Sequence, residues 1–233
     1  MLKAYSASYK KESRAVNEDS FGLIADKFYM VADGISSSPN GAAASQEAVR
    51  LFAEYFGRLS RLPSLPELHQ FLLDTGRQVD RASDGSHTTV AAVWFPSVSV
   101  EPTPFVGLSV GDSRIYILDT LGEPKLRQLS RDHVTSIFDR RQWRVKTVLT
   151  ASCGGEPLPD IRHGLVRHVL ARGEWLIIAT DGVWGFLEKN REWFLASVPQ
   201  FQQKPADMVD ILAMLAARQQ RDDATVMIIR REE

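Results

Sequence analysis

The chain has 233 residues, 44% of them hydrophobic and 24% charged, with 28 Lys and Arg against 29 Asp and Glu. A formal charge of −1 excludes the strong basic excess that marks a chain built mainly to hold nucleic acid. One cysteine, Cys153, excludes an internal disulfide. The first residues, MLKAYSASYKKES, carry no apolar core of a signal peptide, and the longest apolar runs, such as Val90–Phe95 and Trp175–Ala179, are too short to span a bilayer. The expectation is one cytoplasmic domain covering 1–233, without membrane insertion.

In chain order, residues 20–25 (SFGLIA) and 27–32 (KFYMVA) read as paired strands joined by a turn at Asp26. An amphipathic helix is expected at about 42–59, where Ala44, Ala48, Leu51, Phe52, Tyr55, Phe56 and Leu59 recur at a three-to-four spacing. A second helix is expected at about 66–81, after the Pro63–Pro66 break. The middle is strand-rich: Thr88–Phe95, Phe105–Val110, Arg114–Asp119, Leu126–Leu129, Leu165–Ala171 and Trp175–Thr180. Helices follow Asp181 and run from Pro205 to Arg218, and Ala224–Arg230 reads as the last strand. Strand runs broken by helix pairs point to packed sheets covered by helices, not to a doubly wound parallel sheet.

The acidic residues are placed unusually. Asp33 and Asp181 each close an apolar strand and precede a glycine, Asp112 follows FVGLSV, Asp222 and Asp223 precede ATVMII, and Glu18 and Asp19 precede SFGLIA. A single Asp-Gly pair is commonly just a turn. Many carboxylates brought together at strand ends repel one another and need protons or cations. An all-oxygen set suits hard ions such as Mg2+ and Mn2+.

The ordered segments resemble the signature of the metal-dependent protein phosphatases of type 2C. The resemblance rests on Arg14 followed by Glu18-Asp19, on Val31-Ala-Asp33-Gly34 with Gly41 and Ala44-Ser45, and on Thr88-Thr89-Val90. It continues through Val110-Gly-Asp112-Ser-Arg114, Leu129-Ser-Arg-Asp132-His133, Ala179-Thr-Asp181-Gly182 and Arg221-Asp222-Asp223-Ala-Thr225-Val. It implies an α+β fold, a four-layer α/β/β/α sandwich of two antiparallel sheets flanked by helices, with a binuclear metal site at one end. It implies two Mn2+ or Mg2+ ions and a weaker third, with Asp33 bridging and the Gly34 carbonyl on one ion. Asp181 and Asp222 are implied for the other, Glu18 and Asp19 direct or through water, Asp112 with Asp181 for the third, and Arg14 on the substrate phosphate.

The implied activity is hydrolysis of phosphoserine and phosphothreonine in proteins by a metal-activated water. The expected partners are kinase-phosphorylated proteins, and the expected state is a monomer. The alternative is a catalytically weak regulatory or phosphoprotein-binding module. Three departures from the family pattern stand out. Ser36-Ser37-Ser38 replaces Gly-Gly-His, Asp223 replaces Asn, and the flap near 134–148 is short. That flap carries Arg140, Arg141, Arg144 and Lys146, which either steer acidic phosphopeptides or form a solvated turn.

Rival chemistries lack context. Gly107-Leu-Ser109-Val-Gly111 has the nucleophile-elbow spacing, with Asp160 and His163 in triad order, but the residues after it read as a strand. Cys153 has Pro159, not Arg, six residues on, and the chain has no Walker A loop. Cys153 is expected to be a small buried or half-buried residue, and His133 a structural hydrogen-bonding residue.

Overall fold

A computed structural model describes residues 1–139, 144–155, 160–220 and 222–232. The chain opens with strand β1 (Leu2–Tyr9), then the hairpin β2 (Asp19–Ile24) and β3 (Phe28–Asp33), turning at Asp26 with φ +58°. Helices α1 (Gly41–Arg58) and α2 (Leu65–Ala82) follow, then strands β4 (Val90–Trp94), β5 (Thr103–Val110), β6 (Arg114–Asp119) and β7 (Lys125–Gln128). An exposed hairpin comes next, β8 (Val134–Asp139) and β9 (Arg144–Leu149). A short α3 (Ile161–Gly164) leads into β10 (Leu165–Leu170) and β11 (Glu174–Ala179). Helices α4 (Asp181–Lys189), α5 (Arg191–Phe201) and α6 (Pro205–Gln220) precede the last strand, β12 (Ala224–Arg231).

Two five-stranded sheets are formed, β1-β12-β11-β6-β7 and β10-β5-β4-β3-β2, with antiparallel neighbours throughout. Strand periodicity of two explains the layers. Along β3, Phe28, Met30 and Ala32 face α1 and α2, while Tyr29 and Val31 face the other sheet. Along β12, Ala224, Val226 and Ile228 face α4–α6, and Met227 and Ile229 face inward between the sheets. Both faces of these strands are covered, which is why they read as continuous apolar runs. The result is the expected α/β/β/α sandwich.

Local sequence closes the outer layers. Helix α2 begins with a capping box: Ser64 accepts from Glu67 N, and Glu67 accepts from Ser64 N at 2.7 Å. Helix α1 buries Ala44, Ala48, Leu51, Phe52 and Phe56. Each fully buried phenylalanine contributes about 1.5–3 kcal/mol.

Two segments differ from expectation. Strand β1 has no counterpart in the sequence reading; it is an edge strand whose register comes from β12, Leu2 opposite Arg231 and Tyr9 opposite Ala224. The stretch read as a flap or charged turn is the β8–β9 hairpin, where Lys146 pairs with Asp139 at 2.5 Å. Arg140, Arg141, Pro159 and Arg221 lie outside the described residues. Ser109 lies inside β5, which turns at Gly111 into another strand, so no nucleophile elbow forms. Cys153 is buried, as expected, and burial pushes its thiol up to about 12.

Candidate metal centre

Pairing brings the first acids together. Asp19 lies opposite Asp33 in the β2–β3 hairpin, and Gly34 N donates to Glu18 O at 3.0 Å. Gly34 is packed too closely for a side chain, since a Cβ there would run into the Gly41 backbone and lie 2.8 Å from Glu18 O. Asp112 sits in the turn that carries the chain from β5 to β6, from one sheet to the other. That turn depends on Gly111, at φ +94°, where a Cβ would meet Thr89. Asp181 opens α4 at the end of β11, and Asp222 and Asp223 immediately precede β12.

Polar ties join the two sheets at this end. Thr180 Oγ1 donates to Asp19 Oδ2 at 2.8 Å, and Thr225 N donates to Thr180 Oγ1 at 3.0 Å. Asp223, 1% exposed, accepts from Lys11 N at 2.7 Å and from Glu18 N at 2.8 Å. Arg14 lies among the acids: it contacts Asp223, stands 3.0 Å from Glu18 and 3.0 Å from Asp222, and donates to Ser36 Oγ.

The electrostatics are those of carboxylates held together against repulsion. Burial, then the charges of Asp181, Asp19, Asp112 and Asp222, holds Asp33 well above the ordinary carboxylate range. Burial also pushes Asp19 up to about 7, with Asp181 and Asp223 adding to it and hydrogen bonds from Thr225 and Thr180 opposing it. Asp112 rises to about 7 through burial and then Asp181 and Asp132. Asp181 is raised by burial and Asp222, opposed by a hydrogen bond with Asp33.

Among the described residues no three His, Cys, Asp or Glu side chains converge into a ready-made cage. The donor chemistry nevertheless fits a hard divalent cation. It is all oxygen, it repels itself, and Asp19 Oδ1 is buried with no hydrogen-bond partner. All eight residues named from sequence, Arg14, Glu18, Asp19, Asp33, Gly34, Asp112, Asp181 and Asp222, lie at this end of the sandwich, joined by the contacts and mutual fields above.

Sequence reasoning left several supporting residues without roles. Arg114 forks onto Asp132 at 2.6–3.0 Å, contacts Glu188 and lies 3.5 Å over the Trp184 ring, whose Nε1 donates to Asp112 O at 2.8 Å. Thr180 and Thr225 hold Asp19. Their signal was present: each sits inside a matched segment, one residue before Asp181 or two after Asp223. His133 is buried, and its N–H donates to Gly111 O at 2.8 Å, which is the structural part expected of it.

The model of the protein phosphatase 2C family matches residues 9–219. The chain belongs to the protein phosphatase 2C family. It is 30% identical over 131 residues to the serine/threonine phosphatase stp of Listeria monocytogenes, and likewise to that of Listeria innocua. Those stretches cover 50% of this chain and 49% of the relatives, so the chain spans about half the length of the curated relatives it matches. The serine/threonine phosphatase of S. agalactiae superposes with a TM-score of 0.76 at 21% identity, covering 100% of both chains. PstP/Ppp of Mycobacterium tuberculosis gives 0.73 at 21%, covering 100% of this chain and 99% of that one. The PstP catalytic domain solved with two manganese ions gives 0.72 at 21%, covering 98% and 97%. These structures establish the protein phosphatase 2C fold for this chain.

Proposed function

We propose that this chain is a metal-dependent protein serine/threonine phosphatase. The observation that carries the reading is that Asp19, Asp33, Asp112, Asp181 and Asp222 lie at one end of both sheets, near enough for the charges of the other four to raise the pKa of Asp33, with Arg14 among them. Family membership and the two manganese ions of the PstP catalytic domain support it. Asp33, the Gly34 carbonyl, Asp181 and Asp222 would hold two Mn2+ or Mg2+ ions, Glu18 and Asp19 would assist, and Asp112 with Asp181 would take a weaker third. Such ions supply Lewis acidity at phosphorus and activate water when bound.

The chain's own residues do the rest. Arg14 presents a planar fork to the phosphate oxygens, and Asp223 anchors it through Nη1. Thr180 and Thr225 fix Asp19, and Trp184 with Arg114 fixes the turn carrying Asp112. Ser36 accepts from Arg14 and orients it; positions 36–38 offer no imidazole to protonate the leaving alkoxide, a job water could do. The substrates on this reading are phosphoserine and phosphothreonine proteins made by a serine/threonine kinase. The match over residues 9–219 supports one catalytic domain. A monomer acting in the cytoplasm is the working expectation; among the described residues no helix is long and apolar enough to cross a membrane.

The test is phosphate release from a phosphothreonine peptide and an aryl phosphate with Mn2+ or Mg2+, with and without chelator, for wild type and Asp33→Ala. The expected result is metal-dependent turnover that drops by at least about 100-fold in the variant. A wild type inactive with both metals but able to bind phosphopeptide would replace the enzyme with a regulatory module.

A further inference from the structure

On one side of the sandwich each sheet ends in an outermost strand, β7 in one and β10 in the other. Arg127 Nη2 of β7 lies 3.0 Å from His168 Nε2 of β10, so the two edges are neighbours. Between and beside them runs an open groove of about 440 Å³. Its walls carry Arg127, Arg131, Arg162, Arg167, His163 and His168.

The charge of this groove is local and largely uncompensated. All four arginines are exposed. Arg162 is forked onto Asp160 at 2.7–3.0 Å. Among the described residues, Arg127, Arg131 and Arg167 have no carboxylate within ion-pairing distance. Asp132, beside Arg131, is already taken by Arg114 and Gln128. The chain as a whole carries a formal charge of −1, so these cations stand out from their surroundings.

One end of the groove is linked to the acidic centre through a short chain of contacts. Arg131 is two residues from His133, whose N–H donates to the Gly111 carbonyl beside Asp112. The His163 ring lies 4.7 Å from the His133 ring. From there the groove follows Leu165–His168, the first part of β10. An extended peptide advances about 3.3 Å per residue. A segment with its phosphorylated residue at the acidic centre would therefore lay about four neighbouring residues along these arginines.

We propose that the groove between β7 and β10 docks an acidic, extended segment of the phosphoprotein substrate, flanking the phosphorylated residue. The inference rests on the phosphatase reading. Arginine forks pair with Asp and Glu carboxylates in the geometry the groove repeats. The acidic centre repels the same carboxylates, so a run of them is held in the groove while only the phosphate enters among the metal-site acids. Selectivity then comes from sequence around the phosphate, and the field speeds encounter at low salt.

The experiment uses the full chain with Mn2+. Two phosphothreonine peptides are compared, one flanked on both sides by Asp and Glu runs and one by neutral residues, with an aryl phosphate as reference. A fluorescein-labelled acidic peptide lacking phosphate reports docking by anisotropy. Wild type is expected to favour the acidic peptide by about tenfold in kcat/KM, mostly through KM, with the preference shrinking as salt rises. Arg127→Glu with Arg167→Glu should abolish both the preference and the anisotropy signal. Arg127→Gln with Arg167→Gln, milder should charge reversal disturb folding, should reduce both.

Turnover without acidic preference, or a preference that survives in both variants, would sink the groove alone. If neither phosphopeptide nor aryl phosphate is turned over, the phosphatase reading falls, and substrate docking with it. A single-stranded oligonucleotide that displaces the labelled peptide and binds more tightly would reassign the groove to nucleic acid and overturn the proposal.

Discussion

Asp223 is a buried carboxylate where the family usually carries an asparagine, and its surroundings explain why the charge is tolerated. It accepts from two backbone N–H groups, of Lys11 and Glu18, and from Arg14, so three donors share its two oxygens. An asparagine offers a single acceptor oxygen and turns an NH2 toward one of those donors. Asp223→Asn is therefore expected to cost about 2 kcal/mol, read as a lower urea midpoint at unchanged m-value. It should also loosen Arg14 and raise KM for phosphopeptides. An unchanged midpoint would show that the added charge is incidental. The same residue marks where sequence reading stopped: the departure from Asn was visible, but its partners are far away in the chain and invisible to any local pattern.

At the scale of elements, two glycines of similar appearance in sequence should behave oppositely. Gly34 ends β3 against the Gly41 backbone, where a Cβ has no room and the obstacle is main chain. Gly34→Ala is expected to destabilise by about 1–3 kcal/mol and to weaken the response to Mn2+. Gly185 lies within α4, where a Cβ would meet nothing closer than Gln220 at 3.7 Å. Gly185→Ala should stabilise by about 0.5–1 kcal/mol through backbone entropy. Thermal melts of the two variants settle the contrast, and equal shifts would contradict it.

Elements with both faces buried, such as β3, β11 and β12, were legible as apolar runs, α1 as a helical stripe, and α2 from the Pro63–Pro66 break before it. Strand β1, LKAYSASY, was not, because five of its eight residues are small or polar and its place comes from pairing with β12 at the far end of the chain. The β8–β9 hairpin was opaque for a different reason. Ile137, Phe138 and Val145 are exposed, so no buried face imposes an alternating pattern. The acidic centre was legible because its residues sit at strand ends in a known order, whereas Arg114, Thr180 and Thr225 support it from within buried surroundings that spacing does not describe.

For the whole molecule, the raised acids couple metal binding to pH. Without a cation, Asp19 and Asp112 keep their protons up to about 7 in the folded chain, held there first by burial. An unfolded chain releases them near 3.9, so between about pH 4 and 7 the folded state binds more protons and its stability falls as pH rises. Above that window a divalent ion supplies the compensating charge, and within it protons compete with the ion. Saturating Mn2+ is thus expected to raise Tm by about 3 °C near pH 8 and by clearly less near pH 5.5. Equal shifts at both pH values would argue against carboxylate ligation.

The contact between the sheets has a further consequence. Met227, Ile229, Ile115 and Ile178 meet Val31, Ala91 and Val93 there, and such contact is non-directional, so it resists separation better than sliding. Polar ties oppose sliding: Thr180 to Asp19 at one end, and at the other Leu2 N to Asp26 at 2.5 Å and Arg231 to the Val100 carbonyl at 2.7 Å. The far ties are a strand's length from the acids, yet they help set how the two halves of the acidic cluster face each other. Asp26 and Arg231 thereby work like the tuning pegs of an instrument, adjusting at a distance a spacing they never touch.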